Sequence, residues 1–173
     1  MHLTPAEDRD LEDIAMLVNR AYRAGEGWTH EAAYVAGERT TAAALRADLA
    51  ASPQAVLLTL RDEPAGPLLG VVWLEPAGGE AWYLGMLTVR PDLQDRKLGR
   101  QLLGDAEAFA IARGARRIRM TVIAIRDTLI AWYERRGYRP TGEREPFPYE
   151  DQRFGVPSRN DLAFVVLEKH FRP

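Results

Sequence analysis

The sequence at residues 87–107, LTVRPDLQDRKLGRQLLGDAE, runs from an apolar, strand-like segment through a polar turn directly into an amphipathic helix. A helix start leaves about four backbone N–H groups unpaired, and together with the helix dipole these groups form an anion site. Polar side chains and a glycine stand at this helix start: Gln94, Arg96, Lys97, Gly99 and Arg100. The combination suits a diphosphate, although a basic helix start on its own is more often a solvated surface.

The rest of the sequence predicts an α/β fold from its apolar periodicity and its turn residues. Residues 8–22 read as an amphipathic helix, and a second short helix opens at Thr40 or Thr41 and ends near Ser52. Three apolar segments separated by Gly and Pro then indicate an antiparallel meander at 55–61, 67–75 and 80–90. Helices and strands alternate after that: a helix at 97–113, a strand at 116–125, a helix at 127–137, a loop at 144–158 and a last strand at 162–168.

Length and composition favour one domain that covers residues 1–173. Hydrophobic residues make up 46% of the chain and charged residues 28%, which is the balance of a globular protein with a sizeable core. The 23 basic and 25 acidic residues give a net charge of −2, so no overall field attracts nucleic acid or an anionic membrane. Any polyanion site must therefore be local.

Residue content excludes several classes of site. The chain has no cysteine, which rules out disulfides, thiolate metal sites and a cysteine nucleophile, and fits a reducing compartment. The three histidines, at positions 2, 30 and 170, predict no metal cluster, and neither serine lies in a Gly-x-Ser-x-Gly motif. The polar N-terminus and the lack of a run of ~18 apolar residues predict a cytoplasmic protein without a membrane span.

Two motifs carry a resemblance to a known family. VRPDLQDRKLGRQLL resembles the coenzyme A signature of the GNAT superfamily of acyl-CoA-dependent N-acyltransferases, whose pattern is Gln/Arg-x-x-Gly-x-Gly/Ala; Gln94 and Gly99 match. Lys97 stands where the first glycine is usual, and a glycine there allows a backbone geometry or a close approach that lysine resists. LIAWYERRGY resembles the family's later helix with its Tyr-x-x-x-Gly-Phe/Tyr ending, matched by Tyr133, Gly137 and Tyr138.

The resemblance implies a fold and a co-substrate. The family fold is a central, mixed, mostly antiparallel sheet of seven strands flanked by about four helices and splayed between its central strands. Acetyl-CoA enters the gap, with no metal required. By resemblance, backbone groups of Leu87, Thr88 and Val89 bind pantetheine, and the pyrophosphate is held by Gln94, Asp95, Arg96, Lys97, Leu98, Gly99 and Arg100.

The resemblance also implies a catalytic residue. Tyr133 is the predicted general acid, because a phenol with a pKa near 10 stays protonated at neutral pH and can donate to the departing thiolate. The general base is left open between His30, Glu31, Glu80 and a water chain. By analogy, a backbone N–H of Leu87 or Thr88 meets the oxyanion.

The acceptor site is predicted from two loops, at 25–41 and 144–158. Their aromatic and charged residues are typical of small-ligand pockets, and Arg39 can pair with a carboxylate on the acceptor. The predicted acceptor-binding residues are Trp28, Glu31, Tyr34, Arg39 and Tyr149, with Phe147 as a further aromatic wall. The alternative is that these aromatic residues close a core edge or an oligomer interface.

The expected function is transfer of an acetyl group from acetyl-CoA to a primary amine of a small or amino-acid-like molecule, in a ternary complex. Two alternatives stay open, namely a non-catalytic acyl-CoA-binding module and an acetyltransferase of a protein or peptide amine. A homodimer through the late segment LAFVVLEKHF is also open, since that segment could instead complete the sheet of the monomer.

Overall fold

The computed structural model describes residues 1–172, in which four α-helices pack on a seven-stranded sheet. The helices are α1 (Leu11–Arg23), α2 (Ala42–Ala51), α3 (Leu98–Ile111) and α4 (Asp127–Glu134), with 3-10 turns at Asp8–Asp10, Pro91–Arg96 and Gln152–Phe154. The strands are β1 (His2–Pro5), β2 (Val35–Ala36), β3 (Val56–Arg61), β4 (Leu68–Pro76), β5 (Ala81–Val89), β6 (Arg117–Ile123), β7 (Arg139–Pro146), β8 (Val156–Pro157) and β9 (Ala163–His170).

The large sheet has the strand order β1-β3-β4-β5-β6-β9-β7, and β2 pairs with β8 in a separate ribbon. Every pairing in the large sheet is antiparallel except that between β5 and β6. The predicted antiparallel meander is therefore confirmed as β3-β4-β5, and so is the mixed, mostly antiparallel fold class.

Both faces of the sheet are covered because successive strand residues point to opposite sides. Leu57 on β3 packs into a buried cluster with α1 and α2, whereas its neighbour Leu58 packs into a cluster with α3. Val71 and Val72 on β4 divide in the same way. This two-sided burial explains why these strands are continuous apolar runs in the sequence.

Local signals fix the helix that follows the first loop. The Thr41 hydroxyl caps α2 by accepting the Ala44 N–H at 3.0 Å, as its position before an apolar run predicts. The short helix opening at Thr40 or Thr41 is thus confirmed.

Strand β7 is absent from the sequence prediction, which placed a turn and a loop there. All eight residues of RPTGEREP are exposed, so the segment carries no apolar alternation to indicate a strand. It forms one edge of the sheet, and its register shifts between Pro140 and Arg144. A bulge, prolines and charges are the usual devices that keep an edge strand from pairing with another chain.

The late segment LAFVVLEKHF completes the sheet of the monomer. β9 lies between β6 and β7 and is hydrogen-bonded on both sides. Of the two roles left open for this segment, completion of the monomer's sheet is confirmed, and a strand with two partners has no unpaired side left for another chain. A homodimer stays a prediction.

Candidate functional site

The sheet opens between β5 and β6. These strands pair only at Ala81–Tyr83 with Arg117–Arg119. Beyond that point β5 pairs with β4, and β6 pairs with β9. A register shift against β4 and a left-handed residue, Met86 at φ 52°, bend β5 where the strands separate.

Two cavities meet at this opening. One, about 400 Å³, lies against the start of α3 and is called the helix-start cavity. The other, about 260 Å³, lies between the separated strands and is called the gap cavity. Five residues line both cavities: Tyr22, Leu87, Arg126, Leu129 and Tyr133.

The start of α3 has the geometry of an anion site. Lys97 adopts φ 63° and ψ 9°, the left-handed conformation that a glycine would hold with less strain. The first intrahelical bond at this end runs from Gln101 N–H to Lys97 C=O at 3.1 Å, so the amides just before Gln101 lie in the unpaired first turn. The side chains of Lys97 and Arg100 line the cavity beside them.

Gln94 connects this turn to the loop after α1. Its Oε1 accepts the Trp28 backbone N–H at 3.1 Å, and its Nε2 donates to Thr29 Oγ1 at 3.1 Å. Gly27 packs directly against the same side chain, where a Cβ would collide with it. Trp28 and Thr29 therefore form part of the wall of the helix-start cavity.

Two aromatic rings form a further part of the wall of the helix-start cavity. Trp28 and Trp132 lie with their ring centroids 6.5 Å apart, and Arg136 stacks on Trp132 with its Cζ 3.5 Å from the ring centroid. A Cβ on Gly99 would lie 3.5 Å from Trp132, at an ordinary van der Waals distance, so α3 and α4 approach each other closely at this point. The two tryptophan rings therefore contact each other and add apolar surface to the cavity beside the basic helix start.

Tyr133 lies where the two cavities join. Its side chain is buried and packs edge-on against Trp132 and Tyr138. Burial in this surrounding raises the pKa of its hydroxyl above the ordinary value, so the group stays protonated through the neutral range. Within residues 1–172 the hydroxyl makes no hydrogen bond, which leaves its proton available for a bound molecule.

A buried ion-pair triad supports the gap cavity. Glu31 Oε2 lies 2.5 Å from Arg23 Nη1, and Glu31 Oε1 lies 3.0 Å from Arg126 Nη1. Arg126 also donates to the Thr29 carbonyl. The three side chains are 8 to 9% exposed, and only such mutual pairing makes the burial of charge affordable. The triad joins the end of α1, the following loop and the start of α4.

Arg39 enters the gap cavity from another direction. Asn19 Oδ1 accepts the backbone N–H groups of Arg39 at 2.6 Å and Thr40 at 3.1 Å, which fixes this segment on α1. The guanidinium lies 5.8 Å from the centroid of the Tyr22 ring, and Tyr22 donates its hydroxyl to the Leu87 carbonyl at 3.5 Å.

The structure brings most of the predicted site residues together. The helix-start cavity is lined by Trp28, Leu87, Val89, Gln94, Asp95, Lys97, Gly99, Arg100 and Tyr133. The gap cavity is lined by Glu31, Arg39, Leu87, Tyr133 and Phe147. Thr88 and Leu98 are buried core residues, so only their backbone groups are suited to a ligand, and Arg96 is exposed outside both linings.

Tyr34 and Tyr149 lie apart from both cavities. Tyr34 packs against a small cluster that contains Val35 and Phe147. The Tyr149 ring packs at a tilt against Phe147, and its hydroxyl accepts the Leu162 N–H at 2.7 Å. These contacts favour the alternative in which the two tyrosines close a core edge, and their role in acceptor binding stays a prediction.

The candidate bases differ in position. Glu31 has both carboxylate oxygens in ion pairs with arginines, which holds them away from proton transfer. His30 lines neither cavity, although its Nδ1 is buried and has no partner within the described chain. Glu80 precedes the paired end of β5, opposite the turn, and faces Arg116 at 3.8 Å.

The side chains at the site that are absent from the sequence prediction include Tyr22, Arg126, Trp132 and Arg136. The helical spacing places Tyr22 on the apolar face of the first helix, and the sequence analysis assigns no role to the two arginines. Two of these side chains have a local signal in the sequence. Arg126 stands directly before a helix start, and Trp132 stands beside the predicted acid.

Two features are absent from the described chain, residues 1–172. No three His, Cys, Asp or Glu side chains gather there as metal ligands. None of its helices has the length and apolar character needed to cross a bilayer.

Comparisons with known proteins agree with this geometry. Residues 11–138 match the sequence model of the acetyltransferase (GNAT) family. No curated protein matches the chain in sequence. Among solved structures, a protein provisionally named a phosphinothricin N-acetyltransferase is 16% identical, with 99% of each chain covered and a TM-score of 0.73.

Two further structures share the fold. The ribosomal-protein-S18-alanine N-acetyltransferase from Escherichia coli is 16% identical, with 99% of this chain and 94% of that chain covered and a TM-score of 0.71. A GNAT family acetyltransferase from Elizabethkingia anophelis with acetyl-CoA bound is 16% identical, with 73% of this chain and 82% of that chain covered and a TM-score of 0.61.

Proposed function

The chain belongs to the acetyltransferase (GNAT) family, and on that premise we propose that it acetylates the primary amine of a small acceptor that carries a carboxylate. It is an acyltransferase, and acetyl-CoA is its co-substrate. The acceptor class is the part that we propose. The observation that carries the proposal is the position of Tyr133, whose side chain lines both the helix-start cavity and the gap cavity.

The helix-start cavity fits coenzyme A. The unpaired amides at the start of α3, with Lys97 and Arg100 beside them, suit the diphosphate. The cavity surface formed by Trp28 and Trp132 suits the less polar arm, and Leu87 to Val89 lie at the separated edge of β5. In this proposal the thioester lies at the junction, within reach of Tyr133.

The chemistry assigns one step to each group. Acetyl-CoA supplies an activated thioester carbonyl. A backbone N–H at Leu87 or Thr88 stabilises the oxyanion as the amine nitrogen forms its bond to the carbonyl carbon. Tyr133 donates its proton to sulfur as the C–S bond breaks, and the proton lost from the amine restores the phenol through solvent.

The charge of the gap cavity supports an anionic acceptor. Arg23, Arg39 and Arg126 line it with one carboxylate, that of Glu31, so the lining is positively charged overall. Arg39 lines this cavity from the segment that Asn19 holds on α1, where its guanidinium can pair with a carboxylate of the acceptor. Nearby cations also disfavour an ammonium, so they lower the pKa of the acceptor amine and promote the neutral nucleophile.

The size of the gap cavity supports a small acceptor. Its volume of about 260 Å³ lies below the roughly 300–1,000 Å³ of pockets that hold drug-sized ligands. Phe147 and Pro148 also line this cavity. A molecule of amino-acid size matches this space.

The test is an acceptor panel followed by release of free thiol at saturating acetyl-CoA. Each α-amino acid is paired with the amine that lacks its carboxylate, and a peptide with a free N-terminus is included. We expect kcat/KM about tenfold higher for the carboxylate member of a pair, a preference that Arg39→Gln removes and Arg46→Gln keeps. Acetylation of the peptide alone, or equal rates within pairs, would overturn the proposed acceptor class.

A further inference from the structure

A third cavity adjoins the helix-start cavity along α3. Its α3 lining consists of Arg100, Leu103, Gly104 and Glu107, which lie on one face of the helix because they are three or four residues apart. Arg135 and Arg136, just after α4, and Lys169 on β9 close it. Arg100 and Arg136 line both this cavity and the helix-start cavity, so the two spaces are adjacent.

The charge of this cavity is not balanced within the protein. Lys169 Nζ lies 2.7 Å from Glu107 Oε2, so that pair is neutral. In the part of the chain that the structure describes, neither Arg100 nor Arg135 forms an ion pair with an acidic residue. Three arginines therefore face one open space without a counter-ion from the protein.

Arg136 shows the effect of this crowding. One guanidinium nitrogen donates to the Trp132 carbonyl at 2.7 Å, which satisfies the end of α4, and the group stacks on the Trp132 ring. Its Nε is buried without a partner. Burial, followed by the charges of Arg135 and Arg100, lowers the pKa of this guanidinium. An anion between the arginines would relieve both the repulsion and the missing hydrogen bond.

We infer that Arg100, Arg135 and Arg136 form a second anion site, which holds the 3′-phosphate of coenzyme A and makes the enzyme select it over its dephosphorylated form. The inference rests on the proposed place of acetyl-CoA at the start of α3. The 3′-phosphate is one ribose away from the diphosphate in the molecule, and the shared residue Arg100 places the two anion sites side by side. Bound coenzyme A therefore brings a second anionic group, its 3′-phosphate, to the three arginines.

The experiment is calorimetric titration of the whole protein with coenzyme A and with 3′-dephospho-coenzyme A. We expect coenzyme A to bind about tenfold more tightly, as a charge-assisted contact at a partly exposed site allows. Arg135→Gln should reduce this ratio to about threefold by weakening coenzyme A alone, and Arg135→Lys should restore part of it. Arg113→Gln, which removes the same charge beyond the C-terminal end of α3, should leave the ratio unchanged.

The outcomes separate this inference from the function on which it rests. Equal affinity of the wild-type protein for the two ligands would overturn the 3′-phosphate site and leave the diphosphate site standing. Equal weakening of both ligands by Arg135→Gln would also overturn it, because it would indicate a general electrostatic effect. Failure of both ligands to bind would overturn the proposed coenzyme A site itself.

Discussion

Gln94 accepts the backbone N–H of Trp28 at 3.1 Å, and this hydrogen bond joins the turn before α3 to the loop that leads toward the gap cavity. The two residues are 66 positions apart in the sequence. One side chain therefore links the wall of the helix-start cavity to the loop that also carries Glu31 of the triad.

We expect Gln94→Ala to weaken the binding of acetyl-CoA and of the acceptor together, each by about tenfold. The change removes two hydrogen bonds, at about 1 kcal/mol each, and releases the loop that carries Trp28 and Glu31. Thr29→Val removes only the Nε2 bond and should have a smaller effect on both constants. An unchanged acceptor KM beside weaker acetyl-CoA binding would contradict the link between the two cavities.

Tyr133→Phe should lower kcat by about a hundredfold and leave the affinity for acetyl-CoA unchanged, because only the proton donor is lost. Steady-state kinetics and calorimetry measure the two quantities. Tyr138→Phe is the matched control, since Tyr138 is buried outside both cavities and donates its hydroxyl to Glu107 at 3.0 Å. It should lower stability by about 1–2 kcal/mol without changing kcat. An unchanged kcat for Tyr133→Phe would show that Tyr133 is not the general acid.

The free energy of unfolding should fall as pH rises above about 10. Burial raises the pKa of Tyr133, and burial followed by the charge of Glu107 raises the pKa of Tyr138. The unfolded chain loses these protons near pH 10 and the folded protein does not, so ionisation favours the unfolded state. Below that pH the two tyrosines keep their full contribution to the free energy of unfolding. Above it, each tyrosine lowers the free energy of unfolding by about 1.4 kcal/mol per pH unit.

Urea unfolding at a series of alkaline pH values measures this slope. A variant with Tyr133→Phe and Tyr138→Phe together should show a shallower loss than the wild type. Identical slopes for the two proteins would show that both hydroxyls titrate normally in the folded state.

Lys97→Gly should raise the free energy of unfolding by about 1 kcal/mol, because the left-handed backbone at φ 63° is strained for lysine and not for glycine. Lys97→Ala keeps the strain and removes the charge, so it should not stabilise. Comparing acetyl-CoA affinity of the two variants separates the contribution of the charge from that of the backbone. Greater stability of the alanine variant than of the glycine variant would contradict the strain at this position.

Glu31→Gln should destabilise the protein by about 3 kcal/mol, because it leaves Arg23 and Arg126 buried without a carboxylate between them. Chemical denaturation measures the change. Glu26→Gln is the control from the same loop, since Glu26 pairs with Arg20 at the surface and its loss should matter little. Equal effects of the two substitutions would show that the triad does not support the loop.

The sequence predicts those parts of the fold that have a local signal. Apolar runs gave β3, β4, β5, β6 and β9, and the Thr41 cap gave the start of α2. β7 carried no such signal, because every residue of it is exposed and its pairing with β9 is decided by chain partners rather than by an apolar pattern. β1 was missed for a related reason, since its four residues are almost wholly exposed at the other edge.

The site divides in the same way. The helix-start residues Gln94, Gly99 and Arg100 lie in one continuous motif, and the structure places them around one cavity. Arg126 meets Glu31 across 95 residues, a contact that no local pattern reports. Tyr22 differs again, because an aromatic residue on an apolar helix face looks the same in sequence whether it fills a core or lines a cavity.

The short pairing of β5 with β6 holds the two halves of the sheet together at one end only. Three residue pairs at Ala81–Tyr83 act as the hinge, and the two halves of the sheet diverge away from it. The width of the gap cavity at Met86 then depends on the angle between β5 and β6 at this ladder. Adding or removing one residue in the ladder would therefore widen or close the whole cavity.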